Sequence, residues 1–395
     1  MSTLKVDAIR HNSATSDAIT MASDGTCTAK ITGVTGGGAL SSRRLNINGS
    51  FLVWQRSTSV AVSDGSNEGF YAADRWLFKF GGAAAGACTV SRSTDVPTRS
   101  GFVYSYKIDV TTANSVSGNS YHVQNEYIFE GQDILSSGWD YKDPNSYLTI
   151  SLYLKTNKSG NPKLPLTLRL NDSAGNYRYY TEDITIVGTG WGRYSISIPG
   201  DANANDIANN TTDGCTLFIC WSTGSNLVGT TGTWRSDSDR ASSNSANFFD
   251  STSNEMYMTG VQFEVGNTMT SYEHRTFGEE LARCQRYYNK VYDVEGQSGE
   301  KPFVLGTYLN NSELACVVNF PKMRVVPTLD ITNGTSKFMI RRSSVSDHFD
   351  TLTMRYGTTT TAELYTGSGV SGTQGECGII RGADTDVYIA FHAEI

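Results

Sequence analysis

A chain of 395 residues is long enough to bury two or three separate cores, so neither a metal nor a disulfide is needed for it to fold. A formal charge of -7, with only 18% charged side chains, argues against a general nucleic-acid binder, which carries a basic face. No apolar run approaches ~18 residues and no basic-then-apolar leader opens the chain, so neither membrane insertion nor a secretory signal is expected.

The 39 glycines and 21 tyrosines, set among Ser, Thr and Asn, point to antiparallel strands joined by polar turns. Residues 1–43 are short and polar and end in Gly36-Gly37-Gly38, and within them Asp7-Ala8-Ile9 recurs as Asp17-Ala18-Ile19. Such a segment has no core of its own. Repeated apolar pairs between turns suit attachment to another protein or to copies of itself; a disordered tail is the alternative.

From Leu45 onward alternation takes over. Residues 147–154 place Leu148, Ile150, Leu152 and Leu154 on one face, and residues 103–110, 176–180 and 194–198 repeat the period of two. Many short strands without intervening helical periods predict a mainly β protein, with a two-sheet jelly-roll sandwich over residues 44–276. Residues 221–254 read as long loops. A connecting helix is expected over 277–290, where Leu281, Cys284 and Tyr288 form one stripe and the acidic Glu279-Glu280 suits the first turn. Residues 291–395 resume β patterns and predict a smaller C-terminal β-domain whose last strand ties down the chain end.

Familiar catalytic and cofactor signatures are missing, so no cofactor and no metal is expected. The seven cysteines are scattered without a C-x-x-C pair, which fits buried free thiols in a reducing cytosol. Gly367-Ser368-Gly369-Val370-Ser371-Gly372 matches a dinucleotide-loop pattern literally, but turn residues follow it where a helix is required. The five histidines are far apart, and no nucleophile elbow is present. Aromatic residues are the better lead, since sugars stack flat C–H faces on Trp and Tyr while polar side chains bind their hydroxyls. The candidates are Trp221 and Trp234 in the loop-like stretch, and Tyr177 and Tyr179 on one strand face. For all four, burial against the sandwich is the competing role.

Three segments carry a resemblance. The first is Leu45-Asn46-Ile47-Asn48-Gly49-Ser50-Phe51-Leu52-Val53-Trp54-Gln55-Arg56, answered by Asp74-Arg75-Trp76. The second runs from Gly260-Val261-Gln262-Phe263-Glu264-Val265-Gly266 through Tyr272-Glu273-His274-Arg275 to Arg283-Cys284-Gln285-Arg286-Tyr287-Tyr288. The third is Met323-Arg324 through Pro327-Thr328, together with His392-Ala393-Glu394-Ile395. Together they resemble bacteriophage tail-fibre proteins, of the marine phage type, that contain a carbohydrate-binding-module-like sandwich.

That resemblance implies a virion structural protein of the tail; the missing catalytic signatures lead to the expectation that it is not an enzyme, and the scattered cysteines to assembly in the host bacterial cytoplasm. The resemblance also implies a homo-oligomer, a trimer, joined to tail proteins through residues 1–43 and facing a host-surface glycan or protein. A virion-associated glycan depolymerase, or a head-fibre or connector component without receptor contact, are the alternatives. Physically the motifs read as scaffold: Trp54 and Arg56 would share a face, as would Val261, Phe263 and Val265, with Gln262 and Glu264 opposite.

Overall fold

The computed structural model describes residues 6–10, 12–13, 15, 19–21, 23, 27–29, 43–63, 72–82, 86–114, 120–343 and 345–395. Strands β1 (Ala8–Ile9), β2 (Ile19–Met21) and β3 (Cys27–Ala29) form a three-stranded antiparallel sheet. Ile9 sits directly across from Ile19, so the repeated Asp-Ala-Ile unit supplies both members of one cross-strand pair. The Gly36-Gly37-Gly38 break lies outside the described residues.

Among the described residues, twelve strands then build the sandwich: β4 (Ser59–Ser63), β5 (Leu77–Gly81), β6 (Ala87–Ser93), β7 (Ser105–Thr112), β8 (His122–Glu130), β9 (Tyr147–Thr156), β10 (Lys163–Asn171), β11 (Tyr177–Thr185), β12 (Gly192–Pro199), β13 (Asp213–Thr223), β14 (Trp234–Arg235) and β15 (Glu255–Val265). A short helix, α1 (Gly131–Leu135), follows β8. The first sheet runs β14-β11-β10-β13-β8-β5 and the second β12-β9-β15-β7-β6-β4, all pairs antiparallel. Leu148, Ile150, Leu152 and Leu154 of β9 are buried in one cluster with Leu164, Leu166, Leu168 and Leu170 of β10, as alternation requires. Each such leucine removed from water stabilises the sandwich by about 1.5–3 kcal/mol.

Several expectations change on contact with the geometry. Trp221 is not in a loop; it lies within β13 and points into the core. Trp54 and Arg56 do not stack on each other, because residues 51–57 are not a strand and alternation does not govern them. Trp54 stacks instead on Tyr106, with centroids 5.9 Å apart, and Arg56 lies 3.7 Å over the Tyr288 ring. Val261 and Phe263 are buried but Val265 is exposed at the strand end. Gln262 and Glu264, on the opposite side, are buried as well, since the returning segment covers them: the Glu273 N–H donates to Gln262 Oε1 at 2.8 Å and the Thr270 N–H to Glu264 Oε1 at 2.8 Å.

Helix α2 (Phe277–Cys284) opens on a capping box in which the Thr276 side chain accepts from the Glu279 N–H and Glu279 answers. It ends six residues before Lys290, shorter than expected, because Tyr288 already belongs to a strand. Glu280 lies in the first turn as expected, and it is also fully buried, accepting from the Arg44 guanidinium and the Asn48 N–H.

The C-terminal region comprises β16 (Tyr288–Asp293), β17 (Lys301–Asn310), β18 (Glu313–Asn319), β19 (Thr328–Ile331), β20 (Phe338–Arg342), β21 (Val345–Phe349), β22 (Thr353–Gly357), β23 (Thr361–Thr366), β24 (Cys377–Gly382) and β25 (Tyr388–His392). They form a three-stranded sheet, β16-β25-β19, and a seven-stranded sheet, β21-β20-β24-β17-β18-β23-β22, around a second core. The last strand is the central one of its sheet. The literal dinucleotide-loop match is the connection between β23 and β24. Of the cysteines, Cys88, Cys215, Cys220, Cys284 and Cys316 are buried free thiols, whereas Cys377 is free and exposed.

The resemblance-bearing motifs converge where the two regions meet. Arg75, fully buried, pairs with Glu394, lies 3.5 Å over the Tyr287 ring and donates to the Ile128 carbonyl at 2.6 Å. Arg56 reaches both Asp74 at 3.8 Å and Glu394 at 3.7 Å. Glu130 accepts from Arg286 at 2.9 and 2.8 Å and from the Tyr287 hydroxyl at 2.6 Å. Gln55 donates to the Tyr288 carbonyl at 2.7 Å, and Arg324 to the carbonyls of Ala393 and Glu394 at 2.8 and 3.0 Å. These residue types are needed because a buried charge must be matched by a partner and by hydrogen bonds.

Burial pushes the Asp74 carboxyl up from 3.8 to about 6, against the lowering effects of Arg56 and Gln55. A raised carboxyl favours the folded state while protonated, so its contribution is complete below pH 3.8 and is lost as pH rises through about 6. Wild-type stability measured relative to Asp74→Asn should therefore fall across that window. A flat difference in parallel urea titrations would refute the assignment.

Candidate functional site

On β10 the inward leucines leave Thr167, Arg169 and Asn171 facing outward, and on β11 the same parity sends Tyr177 and Tyr179 to that face. The register places Asn171 opposite Tyr177 and Arg169 opposite Tyr179 on one side and Thr216 on the other. The loop after β13 roofs the middle of this outer face. Thr167 Oγ1 donates to the Arg240 carbonyl at 3.0 Å, Arg235 Nη2 donates to Thr181 Oγ1 at 2.8 Å, and the Arg240 guanidinium lies 4.5 Å from the Phe218 ring.

The roof stops short of Tyr177, which is 40% exposed. The Arg169 guanidinium lies 4.7 Å over the Tyr177 ring, pairs with Asp213 and donates to Thr216 Oγ1 at 2.9 Å. Thr216 Oγ1 donates in turn to Asp213 Oδ1 at 3.1 Å, and Asn171 Nδ2 donates to the Asp213 carbonyl at 3.0 Å. Burial works against the Arg169 charge, but Asp213 and the nearby Tyr179 outweigh it and hold the guanidinium protonated above its ordinary range. Among the described residues, Arg169 Nε and Asn171 Oδ1 find no hydrogen-bond partner. The result is a tyrosine ring beside a guanidinium and a carboxylate, groups that can meet a hydroxylated ring with an apolar face.

The four aromatic candidates part company here. Tyr177 is the exposed edge of the cluster. Tyr179 lies on the same face, 6.2 Å from Tyr177 between centroids, but is buried and supports the ring without offering a surface. Trp234 pairs with Tyr180 and so faces inward; its indole N–H donates to the Pro199 carbonyl at 2.8 Å. Trp221 is 1% exposed, donates to Asn125 Oδ1 at 2.8 Å and meets Phe248 edge-on, so it has no free face for a ligand.

Arg169 stands on the alternating run of β10, a pattern present in the sequence, whereas nothing in the sequence brings Asp213 to it. A second aromatic cluster on the other sheet was also missed. There Trp191 meets Tyr257 at 6.2 Å and donates to Asp95 Oδ1 at 2.8 Å. Lys107 and Lys155 lie 5.6 and 5.2 Å over Tyr257 and leave it buried, so that cluster is closed by its own cations. Among the described residues, no group of three or more His, Cys, Asp or Glu side chains is placed to hold a metal.

No family model matches the sequence, and no curated protein does. Among solved structures the chain is similar to the enzymatically active domain of bacteriophage CBA120 tailspike protein 4, with 13% identity and a TM-score of 0.27 over 49% of this chain and 19% of that one. It is also similar to the C-terminal family 22 carbohydrate binding module of Clostridium thermocellum Xyn10B, with 11% identity and a TM-score of 0.26 over 52% of this chain and 99% of that one. A third is the CBM22-1 xylan-binding domain of Paenibacillus barcinonensis Xyn10C, with 10% identity and a TM-score of 0.25 over 53% and 95% of the two chains. The chain spans about a fifth of the tailspike domain, and likeness at these TM-scores carries no weight for function.

Proposed function

We propose that this protein is a carbohydrate-binding structural subunit of a phage tail fibre, attached to the tail through residues 1–43 and homo-oligomeric, whose sandwich contacts a host-surface glycan. The role is binding without catalysis, in the virion, after assembly in the bacterial cytoplasm. The observation that carries the glycan reading is the exposed Tyr177 ring, held by Arg169 beside Asp213. The fibre and tail assignments rest on the motif resemblance alone.

A glycan array on the purified protein tests the first part. Tyr177→Ala and Arg169→Ala should each weaken the strongest hit by roughly tenfold, the equivalent of about 1.4 kcal/mol. Binding that survives both substitutions unchanged would remove this face from consideration. Solution mass tests the second part, since a stable monomer at micromolar concentration contradicts a fibre subunit.

A further inference from the structure

We propose that the cleft between α1, α2 and the segment entering the sandwich is a binding site for an oxyanion, a carboxylate or a phosphate. The cleft measures about 300 Å³, and four arginines line it: Arg44, Arg275, Arg283 and Arg286. It lies apart from the Tyr177 cluster and does not depend on the glycan reading.

The arginines differ in what holds them. Arg44 is paired with Glu280, and Arg286 is held by both oxygens of Glu130. Arg275 lies 3.6 Å from Glu273 and 3.9 Å from Glu280, and it donates to the carbonyls of Asn46 and Arg44. Arg283 is exposed on the last turn of α2, and among the described residues its side chain makes no ion pair or hydrogen bond. Three guanidinium groups are thus held by carboxylates at ion-pair or hydrogen-bond distance, whereas Arg283 has the through-space attraction of Glu279, one helical turn before it.

Two further observations point the same way. The Arg275 charge is disfavoured first by burial, then by the proximity of Arg44 and Arg283, so the cations crowd one another. Asp133, on the same wall, is pushed upward by burial and by Glu130. The Arg44 Nε atom, on a residue of the cleft wall, is buried without a hydrogen-bond partner among the described residues. An oxyanion entering there would meet Arg283 and relieve the repulsion on Arg275, and guanidinium geometry suits both carboxylate and phosphate oxygens.

The test is isothermal titration of the full chain with inorganic phosphate and, separately, with galacturonate, at fixed ionic strength set by sodium chloride. Saturable binding of at least one is expected, with Arg283→Gln weakening it by roughly tenfold, about one charge-assisted hydrogen bond. Tyr177→Ala should leave anion binding unchanged, which separates this site from the glycan face. Preference for phosphate identifies a phosphoryl group as the natural partner, and preference for galacturonate identifies a carboxylated sugar. Because Arg283 is exposed, its substitution does not threaten folding. Absence of saturable binding to the wild-type protein, or equal affinity in Arg283→Gln, overturns the proposal.

Discussion

Replacing Glu394 by alanine should destabilise the protein by about 3–5 kcal/mol, the range for removing one partner of a buried ion pair. Glu394 is 1% exposed at its side chain and is the acid that pairs with Arg75; Arg56 also lies 3.7 Å from it. Without it a guanidinium remains sealed among Tyr127 and Tyr287, where water cannot replace the lost partner. Urea unfolding at neutral pH, followed through the tryptophan signal of the sandwich, measures the loss. A change below ~1 kcal/mol would place Glu394 with surface pairs. Asp206→Ala is the internal comparison. Its pair with Lys142 is 86% exposed at the acid, and its removal should be nearly silent.

The second large effect concerns Trp221. Trp221→Ala should cost about 3–5 kcal/mol, the range for deleting a large core aromatic. The indole fills space against Phe248, and its removal also strands the Asn125 Oδ1 acceptor. Thermal melting should show the loss, while the fraction that stays folded should bind any array hit with wild-type affinity. Weakened binding at full stability would return Trp221 to the ligand surface and contradict its burial.

How much of this was legible varied with how the physics shows through. The β9 leucines and the alternating leucines of β10 betray a sandwich because only one face of each strand is apolar. β13 hid itself for the opposite reason. Leu217, Ile219 and Trp221 fill the core while Phe218 and Cys220 are buried on the other side, so the run lost its period and the Gly/Ser-rich loop after it dominated the reading. The helix over-ran because Tyr288 continues the apolar stripe of α2, yet its burial comes from pairing with β25. The position of Tyr177 on an outward face can be read from strand parity. Asp213, which meets Arg169 from another strand, depends on register that no local pattern encodes. The scaffold role of the motifs was correctly inferred, but not that they join two regions, since that requires Arg75 to find a residue 319 positions away.

That span has a consequence in time. During synthesis Arg75 and Arg56 are made early, and the carboxylate they share is made more than three hundred residues later. Closing so long a loop carries an entropic cost, and until it closes the buried Arg75 lacks the carboxylate it pairs with. Docking of the C-terminal region is therefore expected to follow formation of the sandwich core. Truncation before Glu394 is expected to leave the first core folded and the junction undocked, so limited proteolysis should cut between the two regions of the truncated chain and spare the full one.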